Sequence, residues 1–151
     1  MKLYVVYFRA MQDSPEVEIE CVTTSKFIAE QALTKAQREA EEWMADEDED
    51  SGNWAEACIM TALVGEDTRP GDMFFAMIET DWVEEVSTSI KIHGSDFWAE
   101  KGIEFRKRRL LKEDPGLVPY DEDESFEESM HLHNPDIMSD YYFSIEPVIV
   151  E

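Results

Sequence analysis

Between residues 17 and 27 the spacing of apolar side chains changes from two to three or four, and this change limits the folds open to the chain. Val17-Glu18-Ile19-Glu20-Cys21-Val22 nearly alternates apolar with acidic residues, the pattern of a strand with two different faces. After Thr24-Ser25, either of which can serve as an N-cap, Phe27, Ile28, Ala32, Leu33, Ala36, Ala40, Trp43 and Met44 recur at three- and four-residue steps, the pattern of an amphipathic helix. Strand and helix each hide one apolar side only by packing on a partner, so they belong to one layered α+β core.

The rest of the chain extends this reading. Residues 3–9, rich in Val, Tyr and Phe, form a first strand, and Gln12-Asp13-Ser14-Pro15 supplies the turn of a hairpin to 16–23. One face of that hairpin is expected to be core and the other acidic. The helix runs about twenty residues, to Ala45, where Asp46-Glu47-Asp48-Glu49-Asp50 opposes its dipole and ends it. For residues 54–64, bounded by Gly65 and Pro70-Gly71, the turn signals favour a strand while Ala and Met leave a helix open, and 73–79 reads as the hairpin partner. Residues 82–92 fit a helix, a strand, or one followed by the other. A second helix is predicted from Ser95 or Asp96 to Lys112, ending before Pro115-Gly116. Residues 115–140 have dense acid, several prolines and few apolar anchors, and are expected to be irregular with one helical turn around 124–130. Residues 141–150 read as a final strand, and no internal repeat is apparent. The predicted architecture is one α+β domain over 1–151. It has an antiparallel sheet of about four to six strands, two main helices packed on one face, and a long acidic loop before the last strand.

Composition decides what such a domain can meet. The 151 residues include 36 acids and 13 bases, a formal charge of −23, yet 43% are hydrophobic and 17 are aromatic. That is too much apolar bulk for an acidic disordered tail. The charge opposes direct binding to nucleic acid or to an anionic membrane surface, so the expected partner is basic. No stretch approaches the ~18 apolar residues of a membrane span, and the short apolar run before Arg9 lacks a cleavage site behind it. Cys21 and Cys58, unclustered in apolar or alternating segments, read as reduced core residues, which fits a cytoplasmic protein; one bridge between the two is the alternative.

Charge is unevenly spread. Lys101, Arg106, Lys107, Arg108, Arg109 and Lys112 lie in one helix whose residues 101–112 hold a single acid, Glu104; the remainder has 35 acids against 7 bases, a sum of −28. This basic helix end either complements its own dipole and neighbouring acid, or contacts a phosphate or an acidic patch on a partner.

Signatures of chemistry are sparse. Asp46-x-Asp48-x-Asp50 begins like a calcium loop, but Ser51 stands where a glycine and Ala57 where a glutamate is needed; Asp121-x-Asp123-x-Ser125 fails likewise at Phe126 and Leu132. His131 and His133, with Asp136 or Asp140, have a loose metal-ligand spacing that also suits exposed loop histidines, and His93 before Gly94 reads as a turn residue. No phosphate-binding glycine loop, nucleophile elbow or zinc-protease motif occurs. A non-enzymatic protein without cofactor or resident metal is therefore expected.

Acid is clustered at Glu39-Ala40-Glu41-Glu42 with Asp46, Glu47, Asp48, Glu49 and Asp50, at Glu84-Glu85, and at Asp121-Glu122-Asp123-Glu124 with Glu127-Glu128. Two such charges ~6 Å apart in water repel by ~0.7 kcal/mol, and summed over so many the repulsion is a real destabilisation. In size, charge and clustering the chain resembles the small acidic proteins of phages and mobile elements that mimic nucleic acid and block host enzymes, the anti-restriction and anti-CRISPR proteins. That resemblance implies an inhibitor in the host cytoplasm, acting on a basic nucleic-acid-binding protein or nucleoprotein complex. The contacts expected are Asp46, Glu47, Asp48, Glu49, Asp50, Glu84, Glu85, Asp121, Glu122, Asp123 and Glu124. A second reading is an acidic regulatory or scaffold domain that binds through a sheet edge or exposed aromatics such as Trp43, Trp54 or Trp82. A third is a metal-dependent enzyme using His131, His133 and Asp136.

Overall fold

The computed structural model describes residues 1–11, 15–47, 52–81, 86–113 and 141–151, and in them the order strand, strand, helix, strand occurs twice. The first set is β1 (Lys2–Met11), β2 (Pro15–Thr23), α1 (Lys26–Ala45) and β3 (Trp54–Leu63). The second is β4 (Met73–Asp81), β5 (Ser87–His93), α2 (Asp96–Glu113) and β6 (Tyr141–Ile149). Each set builds its own three-stranded antiparallel sheet, ordered β2-β1-β3 and β5-β4-β6. The α+β class stands, but the expected single sheet carrying both helices is two sheets. The chain divides along similar lines into two compact units, Met1–Met73 with Val148–Glu151, and Phe74–Pro147.

The expected hairpin of 54–64 with 73–79 does not form. β3 pairs along its length with β1, from Lys2↔Leu63 to Met11↔Trp54, while β4 pairs with β5. Adjacent strands in sequence usually pair, but here the intervening segment makes its own turns. Thr68 N donates to Gly65 O (3.1 Å) and Asp72 N to Arg69 O (3.1 Å). In Arg69-Pro70-Gly71-Asp72 the proline fixes φ at the second position and Gly71, at φ +97°, takes the left-handed third position that a side chain would resist. Gly71 N then donates to Val150 O (2.7 Å), and Val150 N to Asp72 O (2.9 Å).

The two sets also share a sequence signature, contrary to the expectation of no internal repeat. Ser25-Lys26-Phe27-Ile28-Ala29-Glu30 and Ser95-Asp96-Phe97-Trp98-Ala99-Glu100 agree at four of six positions. Both serines cap their helices: Ser25 Oγ accepts from Ile28 N (3.3 Å) and Ser95 Oγ from Trp98 N (3.2 Å). Ala29 and Ala99 are fully buried, where a larger side chain would hold the first turn off its sheet.

In the first unit, alanines bring α1 close to the sheet. Ala29 and Ala36 pack with Val6 and Cys21, flanked by Tyr4, Ala32, Leu33 and Ala57; Ala40 packs with Ala10 and Ala55, flanked by Phe8 and Trp43. The expected split of the β1–β2 hairpin into a core face and an acidic face is not what forms. A register shift between Val6 and Tyr7 makes Glu20 the extra residue, so Glu18 and Glu16 pair with Phe8 and Ala10, on the side that bears α1. Val17 and Ile19 pair with Arg9 and Tyr7 on the reverse side, which also carries the buried Leu3, Val5 and Val22. A one-residue slip reverses the phase of every side chain beyond it, so the acid lines the outer edge of the sheet beside the helix.

Candidate functional site

Of the expected partner-binding residues, Asp46 and Glu47 lie just past the end of α1, where Glu47 N donates to Met44 O (3.2 Å) and Glu47 Oε2 accepts from Asn53 Nδ2 (3.0 Å). Asp48, Glu49, Asp50, Glu84, Glu85, Asp121, Glu122, Asp123 and Glu124 lie outside the described residues, as do Trp82, His131, His133, Asp136 and Asp140. A different acidic row stands in the structure: Glu16, Glu18 and Glu20 on the edge strand β2, all exposed, with Glu39 of α1 within electrostatic reach. Burial, and then the negative charges of Glu18 and Glu39, push the Glu20 carboxyl above its usual range, with Lys35 pulling the other way. Alternate residues of a strand are ~6.6 Å apart, so this row carries about half the linear charge of one DNA strand, which has a phosphate every ~3.4 Å. The sequence shows these glutamates as strand alternation; only the edge position and the bulge make them a surface row.

Acid is shared evenly between the units. The first holds 18 acids and 6 bases, a formal −12; the second holds 18 acids and 7 bases, a formal −11. The basic residues of α2 are largely engaged at home. Arg106 Nε donates to Glu79 (2.5 Å), and Arg108 (2.8 Å) and Lys101 (3.3 Å) pair with Glu104. Lys107 lies over the Phe143 ring and Arg109 over the Phe105 ring, at 5.7 and 6.0 Å.

One cleft of about 270 Å³ opens between α2 and the β4–β5 ladder, lined by Met77, Glu79, Ser89, Lys91, Phe105, Arg106 and Arg109. Register explains its composition: Met77 pairs with Lys91 and Glu79 with Ser89, so all four strand residues point to one side of the sheet. Deeper along α2, a Cβ at Gly102 would sit 3.0 Å from both His93 Nε2 and Met77 Sδ, so the glycine permits the close approach of helix and sheet there. His93 Nε2 is buried with no hydrogen-bond partner among the described residues; it is a packed group and not the turn residue expected.

Comparing the units locates what is unusual. Counting from the capping serine, Cys21 and Ala36 correspond to Lys91 and Arg106, and Val6, paired with Cys21, corresponds to Met77, paired with Lys91. Val6, Cys21 and Ala36 are a closed apolar cluster. Their counterparts are a methionine and two cations around an opening.

Elsewhere, Cys21 and Cys58 form no disulfide. Cys21 Sγ donates to Glu151 Oε2 (2.9 Å), and burial first, then that contact and its charge, push the thiol up to about 12. Trp43 and Trp54 are half-buried; among the described residues the exposed aromatics are instead Phe27 (66%), Phe97 (57%), Trp98 (61%), Phe105 (63%) and Tyr142 (40%). The recurring S-x-F motif was the available sign for the first two. Among the described residues no group of three or more His, Cys, Asp or Glu side chains could hold a metal ion, and no helix is long and apolar enough to cross a membrane. Comparison with protein-family models, with curated proteins and with solved structures finds no match.

Proposed function

We propose that this chain is a non-enzymatic binding protein whose carboxylate-rich surface occupies the nucleic-acid site of a basic protein or nucleoprotein complex, as a phage-encoded inhibitor of a host defence system would. The observation that carries the proposal is the exposed acid row of Glu16, Glu18 and Glu20, where burial first, and then the like charges of Glu18 and Glu39, raise the Glu20 carboxyl, within a molecule whose units each hold at least eleven excess negative charges. Crowding of this kind lowers stability at neutral pH, and a cationic groove would relieve it on binding.

The test is a pull-down from host lysate across a salt series, followed by competition with DNA. A basic nucleic-acid-binding protein that is released steeply with salt and displaced by DNA is the expected result. Glu16→Gln, Glu18→Gln and Glu20→Gln together should weaken its capture. Recovery of no basic partner, or binding insensitive to salt, overturns the proposal.

A second reading, an acidic scaffold or regulatory domain that docks through aromatics, draws on Phe27 and Phe97. Both occupy the same first-turn position of their helices and both are more than half exposed. Salt-insensitive binding lost in Phe27→Ala or Phe97→Ala would favour it.

A further inference from the structure

We infer that the outer edge of β3 is a dimer interface, on which β3 of a second copy of this chain pairs antiparallel about a two-fold axis at Ile59. The first ground is the contrast between the two outer strands of the first sheet. β2, at one edge, presents Glu16, Glu18 and Glu20, and charge of that kind keeps an edge strand from pairing with another chain. β3, at the other edge, is ten residues long and has a single charge, Glu56, whose carboxylate is paired with Arg9. From Ala57 to Leu63 it carries no charge at all, in a chain of which 32% is charged.

The second ground is the direction of the backbone. Val64 N donates to Met1 O (2.9 Å) and Met1 N to Val64 O (3.2 Å), so Met1 and Val64 are a hydrogen-bonded pair of the β1–β3 ladder. The register continues without a break to Met11↔Trp54. Every second residue of β3 therefore turns its N–H and C=O away from β1: Ala55, Ala57, Ile59, Thr61 and Leu63. Their side chains share one face of the sheet, where Ile59 (41%) and Leu63 (84%) are exposed. Leu63 is the most exposed large hydrophobic side chain among the described residues.

The third ground is self-complementarity, which selects a second copy over another extended chain. A two-fold axis at Ile59 sets Ile59 against its own copy, Thr61 against Ala57 and Leu63 against Ala55, and each pair exchanges two backbone hydrogen bonds. The second copy's Leu63 then lands beside Ala55, in the cluster against which Trp43 packs. On the opposite face Glu56 meets Ala62 and Cys58 meets Met60, so no like charges oppose one another. Two chains of formal −23 repel over their acidic surfaces, and this uncharged edge lets them meet without setting acid against acid. The joined sheet has the Glu16–Glu18–Glu20 row at both outer edges, five strand spacings or about 24 Å apart.

The experiment is sedimentation equilibrium of the full chain across a salt series. The expected species has twice the 17.5 kDa mass of the chain, and its association should tighten as salt screens the repulsion between two acidic molecules. That is the reverse of the salt dependence expected for a basic partner, so the two proposals stand or fall separately. Ile59→Lys opposes two like charges at an exposed edge position; it should weaken the dimer at least tenfold, with circular dichroism matching the parent. Ile59→Cys puts two thiols at the two-fold axis, where Cα atoms ~5.5 Å apart suit a disulfide, and oxidation should trap a covalent dimer on a denaturing gel. Thr61→Cys, whose copies lie roughly 14 Å apart along the strands, should not be trapped. The inference is overturned if the parent is monomeric at every salt concentration, if Ile59→Lys dimerises as tightly as the parent, or if Thr61→Cys cross-links as readily as Ile59→Cys.

Discussion

Thr23 offers the sharpest test of how the first unit is held together. Its side chain is fully buried, and its hydroxyl donates to the Glu151 carbonyl oxygen (2.9 Å) while accepting from Ser25 N (3.0 Å), tying β2 at once to residue 151 and to the start of α1. Thr23→Val keeps the shape and removes both bonds. Each is worth roughly 0.5–1.5 kcal/mol net, and more where a partner is left dry; with both only partly buried, about 2 kcal/mol is expected. Thr23→Ser keeps both bonds and loses one methyl, about 0.8 kcal/mol. The assay is urea denaturation with scanning calorimetry. If the first unit melts alone, Thr23→Val should lower its Tm by roughly 8–16 °C; if all 151 residues melt together, by roughly 4–8 °C. A valine variant as stable as the parent, or a serine variant less stable than the valine one, would refute the reasoning.

Glu20→Gln should raise stability at pH 7. The native carboxyl titrates above the unfolded value near 4.5, so the native state binds the proton more readily in that window and stability falls as pH rises through it; the advantage of glutamine should fade on acidification to the ordinary carboxylate range. Glu79→Ala should cost about 3 kcal/mol by removing the buried carboxylate that pairs with the partly buried Arg106, read as a lower urea midpoint, whereas Glu104→Ala, whose pairs are exposed, should cost under about 1 kcal/mol. Cys21, held protonated in the native state up to about 12, should resist a thiol reagent at pH 8 and react on unfolding. Between pH 9 and 12 only the unfolded state gives up that proton, so stability should decline across that interval.

Local signals in the chain were enough to place the described elements other than β5, whose segment 82–92 they leave open between helix and strand. α1 stops at Ala45 and Ser95 caps α2, as capping chemistry and the acid run foretell. Pairing was harder to foresee, because which strand lies beside β3 depends on contacts between residues as far apart as Lys2 and Leu63. The facing of Glu16 and Glu18 depends on a single extra residue at Glu20. The repeat is faint in sequence because the identities around each cap number four in six positions while the helix interiors diverge from Ala36 and Ala40 to Arg106 and Leu110. The cleft was only half legible. The basic run showed in sequence, but Lys91 and Glu79 join it through the β4–β5 register, which no local pattern encodes.

Along the sequence the second unit is an insertion in the first, since Val148–Glu151 belongs with Met1–Met73. During synthesis this ordering has a temporal consequence. Residue 73 is made 78 residues before residue 151, an interval of roughly 4–16 s at ribosomal speeds. Throughout it Thr23 lacks its acceptor, and Val22 O lacks the Glu151 amide that later donates to it (2.7 Å). A nascent chain paused in this interval should therefore be more open to proteases around β2 than the finished protein.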